Sequence, residues 1–272
     1  MAKKFYNGMN HSNNRKLKSY VSNKKDRENF AKEHTREMIK NYSPEISASI
    51  NKSRIYENCD IDSIKGSDTC ITPMSVKKTD TVSAIFDSSK ENIVILNFAS
   101  YKNPGGGFIR GSKAQEESLC YSSFLYNVLI NFQTRYYDKN ITSLNKGLYS
   151  NKAIYSEDVY FFSDDKVKAV DVITCSAPNK SNVIRYSSLS EEDNYDALVS
   201  RIKFLRYIVD DVLKTKQIEE LILGAFGCGV FKQSPEHVSS LFRHYFNDCD
   251  VESVVFAVPD KKTFDVFEEA IS

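Results

Sequence analysis

The sequence predicts one α/β domain, in which a mostly parallel central sheet is covered by helices on both faces. Two observations lead to this fold class. Continuous apolar runs of strand length alternate along the chain with longer segments whose apolar residues recur every three or four positions. The chain also has 272 residues, of which 41% are hydrophobic, and this is enough to bury one large core.

The N-terminal region is expected to add a helical extension to this domain. Residues 1–26 are rich in Lys and Arg and are interpreted as an irregular, solvated basic segment. A single domain is therefore expected over residues 27–272, with the helical extension inside 27–90. The first helix is predicted over Asp26–Tyr42, since its apolar residues lie at helical spacing. These residues are Phe30, His34, Met38 and Ile39.

Helices and strands are predicted to alternate in the rest of the chain. Residues 43–78 are polar, with room for a short strand or helix, and residues 180–195 are expected to form a loop. Nearly continuous apolar character predicts five strands, at Ile93–Phe98, Ala153–Phe161, Val170–Ser176, Glu219–Leu223 and Val254–Val258. Apolar spacing and capping residues predict helices at Thr79–Ser89, Gln115–Gln133, Tyr195–Thr215, Pro235–Asn247 and Lys261–Ile271.

Composition excludes several functional classes. The net charge of +1 argues against a general nucleic-acid binder, which carries a strong basic excess. No apolar run is long enough to span a membrane, and the first residues lack the apolar core of a signal peptide. The six cysteines have no paired spacing, which indicates reduced thiols in a cytoplasmic protein. The four histidines form no ligand cluster, so no metal site is predicted.

Two glycine-rich segments each follow a predicted strand, and ligands of open α/β sheets bind outside the carboxyl ends of strands. The first is Asn103–Gly107, where Gly105, Gly106 and Gly107 would let a ligand approach the main chain; a tight turn is the alternative. The second is Gly224–Phe231, whose N–H groups could accept a diphosphate; strand-to-helix packing of small residues is the alternative.

The next signal is Gln115-Glu116-Glu117, which opens a predicted helix seven residues after the glycine triplet. Acidic residues in a first helical turn also complement the helix dipole, and this is the commonest reason for finding them there. Two adjacent glutamates repel each other, however, and partial burial raises the pKa of a carboxyl further. A glutamate that stays protonated near neutral pH can protonate a leaving glycosidic oxygen and then activate water.

The two motifs together resemble the signature of the poly(ADP-ribose) glycohydrolases of the bacterial type. The matching residues are Asn97–Ser100, Asn103–Phe108, Gly111, Ala114–Leu119 and Gly224–Phe231. The stretches Ile154–Val159 and Asp171–Asn179 are also similar, so that the likeness extends from about residue 27 to the C-terminus. The resemblance implies a macrodomain-like, three-layer α/β/α fold with a mixed, mostly parallel sheet. It also implies that ADP-ribose polymers or ADP-ribosylated macromolecules are the substrate, with no metal or cofactor.

The resemblance also implies roles for individual residues. Glu117 would be the general acid, and Glu116 would hydrogen-bond the reacting ribose. The family's ligand-binding positions, which would hold the ribose and enclose the diphosphate, correspond here to Asn103, Gly105, Gly106, Gly107, Gln115, Gly227, Cys228, Gly229, Val230 and Phe231. Phe231 would pack on the distal ribose and bend the ligand. Exo-acting removal of ADP-ribose from polymer ends is the mode that this branch of the family implies.

Two alternatives remain from the sequence. A non-catalytic reader of ADP-ribose would keep both glycine-rich segments and would have no need for Gln-Glu-Glu. A hydrolase of single ADP-ribose units on protein or nucleic acid would share the acid and the diphosphate site. The sequence therefore distinguishes a hydrolase from a non-catalytic ADP-ribose reader better than it distinguishes one ADP-ribosylated substrate from another. Lys232 and Gln233, which follow Phe231, depart from the family pattern of small and short polar residues.

Overall fold

The computed structural model describes residues 23–182 and 189–272, and it contains a mixed sheet of seven strands between two layers of helices. In spatial order the strands are β1, β4, β5, β3, β6, β7 and β2. Their bounds in chain order are β1 Arg54–Glu57, β2 Met74–Lys77, β3 Ile93–Phe98, β4 Lys152–Ser163, β5 Lys166–Cys175, β6 Glu220–Gly224 and β7 Ser253–Ala257. The predicted three-layer α/β fold is confirmed.

The central strands form a parallel sheet because both of their faces are covered. Strands β5, β3, β6, β7 and β2 pair in parallel, whereas β1 and β4 join through antiparallel pairs at the other side. Every residue of β6 is buried, and so are the first five residues of β3. A strand buried on both faces reads as a continuous apolar run, which is why these strands were predictable from sequence.

Each face of the sheet has its own hydrophobic core. One face packs against three helices, α6 Glu191–Leu213, α7 Pro235–Phe246 and α8 Lys261–Ile271. The other packs against the N-terminal half of the chain, in α1 Lys24–Lys52, α2 Thr81–Asp87, α3 Gln115–Tyr121 and α4 Leu125–Leu129. A further short helix, α5 Asp138–Ile141, precedes β4. No helix among the described residues is apolar and long enough to span a membrane.

The N-terminal helix is longer than predicted at both ends. It begins at Lys24, because the side chain of Asn23 accepts a hydrogen bond from the Asp26 N–H and caps the first turn. At the predicted end, Tyr42 leaves the helical conformation, with φ −133° and ψ 25°. A second helical part then continues to Lys52, with Pro44 in its first turn, where a missing N–H is tolerated.

The predicted helix Gln115–Gln133 is wrong as one element, since it breaks between α3 and α4. At the break, Ser123 Oγ donates to Leu119 O and accepts from Leu125 N, which replaces helical hydrogen bonds. The neighbouring Ser122 O accepts from Phe162 N of β4 at 2.8 Å. The chain therefore turns to pair with the sheet, and a 3₁₀ turn and a π turn follow α4 up to Tyr137.

Other differences are smaller. Helix α6 begins at Glu191, four residues before the predicted start, because Ser190 and Asp193 form a capping box. The predicted loop 180–195 therefore ends early, and residues 183–188 of it lie outside the described residues. Strands β4 and β5 form a hairpin that is longer than predicted, with a bulge between Ser156 and Val159. The polar stretch 43–78 holds β1 and β2.

The expected common edge for the two glycine-rich segments is confirmed. Strands β3 and β6 are neighbours and run parallel, so the chain leaves both of them at the same edge of the sheet. The amino end of α1 lies beside the segment that follows the glycine triplet. Arg27 Nε donates to Gly111 O at 2.8 Å, and Gly111 has a positive φ of +68°. The helical extension thus supports this loop from outside the sheet.

We expect Gly111→Ala to separate α1 from this loop. A Cβ at position 111 would lie 2.3 Å from Lys24 O and 3.0 Å from Glu28 N, and the left-handed backbone would be strained as well. The free energy of unfolding should fall by about 2 kcal/mol or more. Urea unfolding measures it, with Gly229→Ala as the control, since nothing lies within 4 Å of a Cβ at position 229. Equal stability of the two variants would contradict this packing.

Candidate active site

A cleft of about 820 Å³ lies at the carboxyl ends of β3, β6 and β7. The second glycine segment forms one wall of it, from Gly227 to Lys232, and α3 contributes Gln115, Ser118 and Leu119. Of the residues predicted to bind ligand, Gln115 and Gly227–Phe231 line this cleft. The others, Asn103 and Gly105–Gly107, do not line it, and neither do the two glutamates.

Glu117 is fixed by the main chain of the glycine triplet. Its side chain lies in α3 and the residue is only 7% exposed. Oε1 accepts a hydrogen bond from Gly107 N at 2.7 Å, whereas Oε2 is buried and has no partner among the described residues. A buried carboxylate oxygen without a donor is rare in proteins and needs an explanation, which a ligand group would supply.

Glu116 lies deeper and has both oxygens engaged. Oε2 accepts from Ser100 N at 2.7 Å, and Oε1 accepts from Asn97 Nδ2 at 3.3 Å. The residue is 3% exposed, and burial raises the pKa of its carboxyl to about 8. The charge of Glu117 adds to this rise, and the Ser100 N–H opposes it by stabilising the ionised form. Glu116 therefore holds its proton at neutral pH.

The glycine triplet packs against these two carboxylates. A Cβ at Gly106 would lie 2.7 Å from Glu117 Oε1 and 2.9 Å from Glu116 Oε2, and the φ of Gly106 is +61°. Both oxygens thus lie within 3 Å of one point, a distance at which no side chain fits. The sequence suggested that a ligand approaches this main chain closely. In the structure the close approach is made by the acidic pair itself.

Gln115 acts as a bridge between β3 and α2. Its Oε1 accepts from Phe98 N at 2.8 Å, and its Nε2 donates to Leu96 O at 2.8 Å and to Thr81 Oγ1 at 3.2 Å. These bonds engage main-chain groups of β3 beyond its last pair with β6, at Ile95, and fix the start of α3. The expected positioning role of Gln115 therefore has a physical basis in the strand edge.

The second glycine segment offers three adjacent N–H groups. Cys228 N is already engaged in a turn with Ala225 O at 3.1 Å. Within the described residues, the N–H groups of Gly229, Val230 and Phe231 have no acceptor. Three such donors in one turn of the cleft wall, shortly before α7, are available to bind an anion. Asn103, by contrast, has an exposed side chain, and its carbonyl closes a turn with Gly106 N at 3.0 Å.

Sequence reasoning missed the residues that brace this segment. Gln233 is buried, and its Nε2 donates to Pro178 O at 2.7 Å and to Asn194 Oδ1 at 2.8 Å. Lys232, in contrast, is exposed at the rim of the cleft with a φ of 60°. Both were noticed only as departures from the family pattern. The opposite wall of the cleft, with Asp80–Val82 and Val258–Asp260, was missed as well.

We expect the buried carboxyl of Glu116 to make stability depend on pH. A folded pKa of about 8 exceeds the ordinary value of 4.5, so the folded protein holds a proton that the unfolded chain releases. Stability should be full below about pH 4.5 and should fall as the pH rises through 8. Glu116→Gln should remove this loss, and its advantage over the wild type should grow between pH 5 and 9.

Urea unfolding at a series of pH values measures this difference. Glu33→Gln is the control, because Glu33 is exposed on α1 and its replacement should leave the wild-type slope unchanged. Parallel curves for Glu116→Gln and the wild type would show that the carboxyl is not held neutral in the folded protein.

Comparison with known proteins identifies the family and related folds. The family model described as "Microbial-type PARG, catalytic domain" matches residues 15–164. The match begins inside residues 1–26, which were interpreted from sequence as irregular. It therefore starts earlier than the similarity recognised from sequence, which began at about residue 27. The match includes the glycine triplet and Gln115–Glu117. It spans 150 of the 272 residues, which is more than half of the chain. No curated protein matches the sequence.

Solved structures of poly(ADP-ribose) glycohydrolases are similar over most of the chain. The enzyme from Thermomonospora curvata is 26% identical with a TM-score of 0.76, and the match covers 90% of this chain and 98% of that one. The enzyme from Deinococcus radiodurans in complex with ADP-ribose is 30% identical with a TM-score of 0.73, covering 84% and 98%. From the family match and these folds, the chain belongs to the microbial-type poly(ADP-ribose) glycohydrolase family.

Proposed function

We propose that this protein hydrolyses the ribose–ribose O-glycosidic bonds of poly(ADP-ribose) and releases ADP-ribose. The observation that carries the proposal is the Glu117 carboxylate. Gly107 N holds one oxygen, while the other is buried with no partner among the described residues, beside a cleft whose wall carries the N–H groups of Gly229, Val230 and Phe231. Related structures contain ADP-ribose in one case and the inhibitor ADP-HPD in another, which supports the same ligand class for this cleft.

Glu117 is the general acid and base of the proposed reaction. Its carboxylic acid gives a proton to the departing ribose oxygen while positive charge develops at the anomeric carbon. The carboxylate then takes a proton from the attacking water, so that the acid is restored and one glycosidic bond is hydrolysed. The fixed Gly107 hydrogen bond leaves Oε2 as the oxygen that meets the substrate.

Glu116 orients the reacting ribose. Since burial raises the pKa of its carboxyl to about 8, the side chain can donate a hydrogen bond to a ribose hydroxyl oxygen at neutral pH. Above that pH it can only accept. Asn97 Nδ2 and Ser100 N fix its position from the side of the sheet.

The diphosphate lies between the two glycine-rich segments in this proposal. The N–H groups of Gly229, Val230 and Phe231 bind it, helped by the positive end of α7, which starts at Pro235 after the Ser234 cap. Gly227 and Cys228 shape this turn, and Gly105–Gly107 close the site from the other side. Phe231 packs on the distal ribose, and Tyr149, whose ring centroid is 6.1 Å from that of Phe231, supports it.

The proposal has three further parts. The exo mode follows from membership of the microbial-type family, and Asn103 is carried over from the family signature as a ribose contact. A cytoplasmic location is supported by the cysteines, since all six are unpaired thiols.

Glu117→Gln is expected to abolish release of ADP-ribose and to retain ligand binding. The amide still accepts the Gly107 N–H, but it has no acidic proton for the leaving oxygen, so the rate should fall by about 10²–10⁴-fold. A chromatographic assay of ADP-ribose release gives the rate, and calorimetry gives the affinity for ADP-ribose. Glu33→Gln, which changes an exposed glutamate of α1, should behave as the wild type.

The assay should run on three substrates in parallel, namely poly(ADP-ribose), mono-ADP-ribosylated protein and ADP-ribosylated nucleic acid. Fast release from the polymer alone is the expected result. Turnover of single units at the same rate would reassign the substrate class, and binding without any turnover would make the protein a reader of ADP-ribose. Normal turnover by Glu117→Gln would refute the role of the acid.

A further inference from the structure

Arg201 of α6 is a fully buried cation under the floor of the cleft. It is 1% exposed, and it is the only buried Arg or Lys among the described residues. Nε donates to Asn151 Oδ1 at 2.8 Å, Nη2 donates to Ser150 O at 2.8 Å, and Nη1 donates to Ser176 O. All three acceptors are neutral oxygens. The N–H donors of Arg201 therefore have hydrogen-bond partners, but these partners do not neutralise the positive charge of the guanidinium.

No carboxylate balances this guanidinium. Within the described residues none lies within 4 Å of Arg201. Residues 1–22 and 183–188 contain no Asp or Glu in the sequence, so they hold no carboxylate for it either. Arg206, five residues further along the same helix, pairs with Asp210 and Asp248, both at 2.7 Å. A guanidinium does not deprotonate in proteins, so its burial needs compensation from an opposite charge.

The guanidinium lies one layer below the second glycine segment. It donates to the carbonyl of Ser176, and the next residue, Ala177, lines the cleft. A Cβ at Gly227 would lie 2.7 Å from the Cβ of Ala177, so the floor and the glycine segment are in contact. Burial raises the pKa of Tyr149, and the charge of Arg201 is near enough to oppose that rise; the Tyr149 ring centroid in turn lies 6.1 Å from that of Phe231. The charge therefore lies behind the cleft floor at Ala177, which is in contact with Gly227 of the glycine segment.

We infer that the counter-charge of Arg201 is the diphosphate of the bound ligand, which it attracts through the cleft floor without touching it. The inference rests on the proposed function and adds a binding determinant to it. The N–H groups of the glycine segment orient the diphosphate through hydrogen bonds, and the positive charge of Arg201 attracts it over a longer distance. Because the charge is buried, water and salt screen it much less than they screen a rim lysine.

The inference is tested with Arg201→Met and Arg201→Gln, which remove the charge and keep much of the side-chain volume. The dissociation constant for ADP-ribose should rise roughly tenfold, the order of magnitude expected when a buried unit charge that attracts the diphosphate is removed. The dissociation constant for adenosine, which has no phosphate, should change by less than about twofold. Arg201→Lys keeps the charge and should retain most of the ADP-ribose affinity, even if it unfolds at a lower temperature.

Arg206→Met is the matched control, because it removes a paired cation from the same helix. It should lower stability and leave the ratio of the two dissociation constants unchanged. If Arg201 only braces the loops, the Lys variant should lose as much ADP-ribose affinity as the Met variant, or both ligands should weaken together. Either result would overturn the inference.

A measurement on the wild type keeps the test decisive if both neutral variants fail to fold. Inorganic pyrophosphate alone should raise the unfolding temperature of the wild type, and chloride at equal ionic strength should not. No rise with pyrophosphate would also overturn the inference. Loss of the proposed function would look different, since the wild type would then release no ADP-ribose from the polymer.

Discussion

Two main-chain hydrogen bonds hold the acidic pair at the sheet edge, and a missing side chain makes them possible. Gly107 N binds Glu117, and Ser100 N binds Glu116. A Cβ at Gly106 would lie less than 3 Å from an oxygen of each carboxylate, so that glycine leaves room for both. The rest of the molecule keeps this contact in register. Strand β3 ends where Ser100 can reach Glu116, Gln115 ties α3 to that strand, and α1 packs on the loop at Gly111.

The site contains two buried ionisable groups that respond to burial in different ways. Glu116 stays neutral below about pH 8, so its burial requires no counter-charge at neutral pH. Arg201 has no neutral form available, and the protein surrounds it with carbonyl and amide oxygens alone. In the proposed function the acidic pair acts on the ribose, and in the further inference Arg201 attracts the diphosphate.

Much of the fold followed from local pattern, because buried parallel strands have continuous apolar sequences. β3 and β6 were predicted within one residue, and their parallel course brought the two glycine-rich segments together as expected. The break after α3 was not predictable, since it depends on Ser122 pairing with Phe162 about forty residues later. The continuation of α1 past Tyr42 was missed because residues 43–78 were interpreted as a polar stretch, whereas Pro44 lies in the first turn of a second helical part.

The parts of the site that belong to a sequence motif could be predicted. The parts that depend on a single buried side chain could not. Gln115–Glu117 and the two glycine-rich segments were found as motifs. The sequence suggested that a ligand approaches the glycine triplet, and the structure shows that Glu116 and Glu117 approach it. Gln233 and Arg201 belong to no recognised motif, and Asn97 lies in the matching stretch Asn97–Ser100 without an assigned role. Their importance appears only when strands and helices distant in sequence pack together. No spacing rule assigns a counter-charge to an arginine in the middle of an amphipathic helix.

The turnover of Gly106→Ala on poly(ADP-ribose) tests the central claim most directly. A methyl group at this position would displace both carboxylate oxygens, and a shift of about 1 Å in catalytic geometry can reduce the rate by about 10²-fold. The account predicts such a loss in a protein that still folds and still binds ADP-ribose. Full turnover by Gly106→Ala would contradict it, because the acidic pair would then function without its close contact to the triplet.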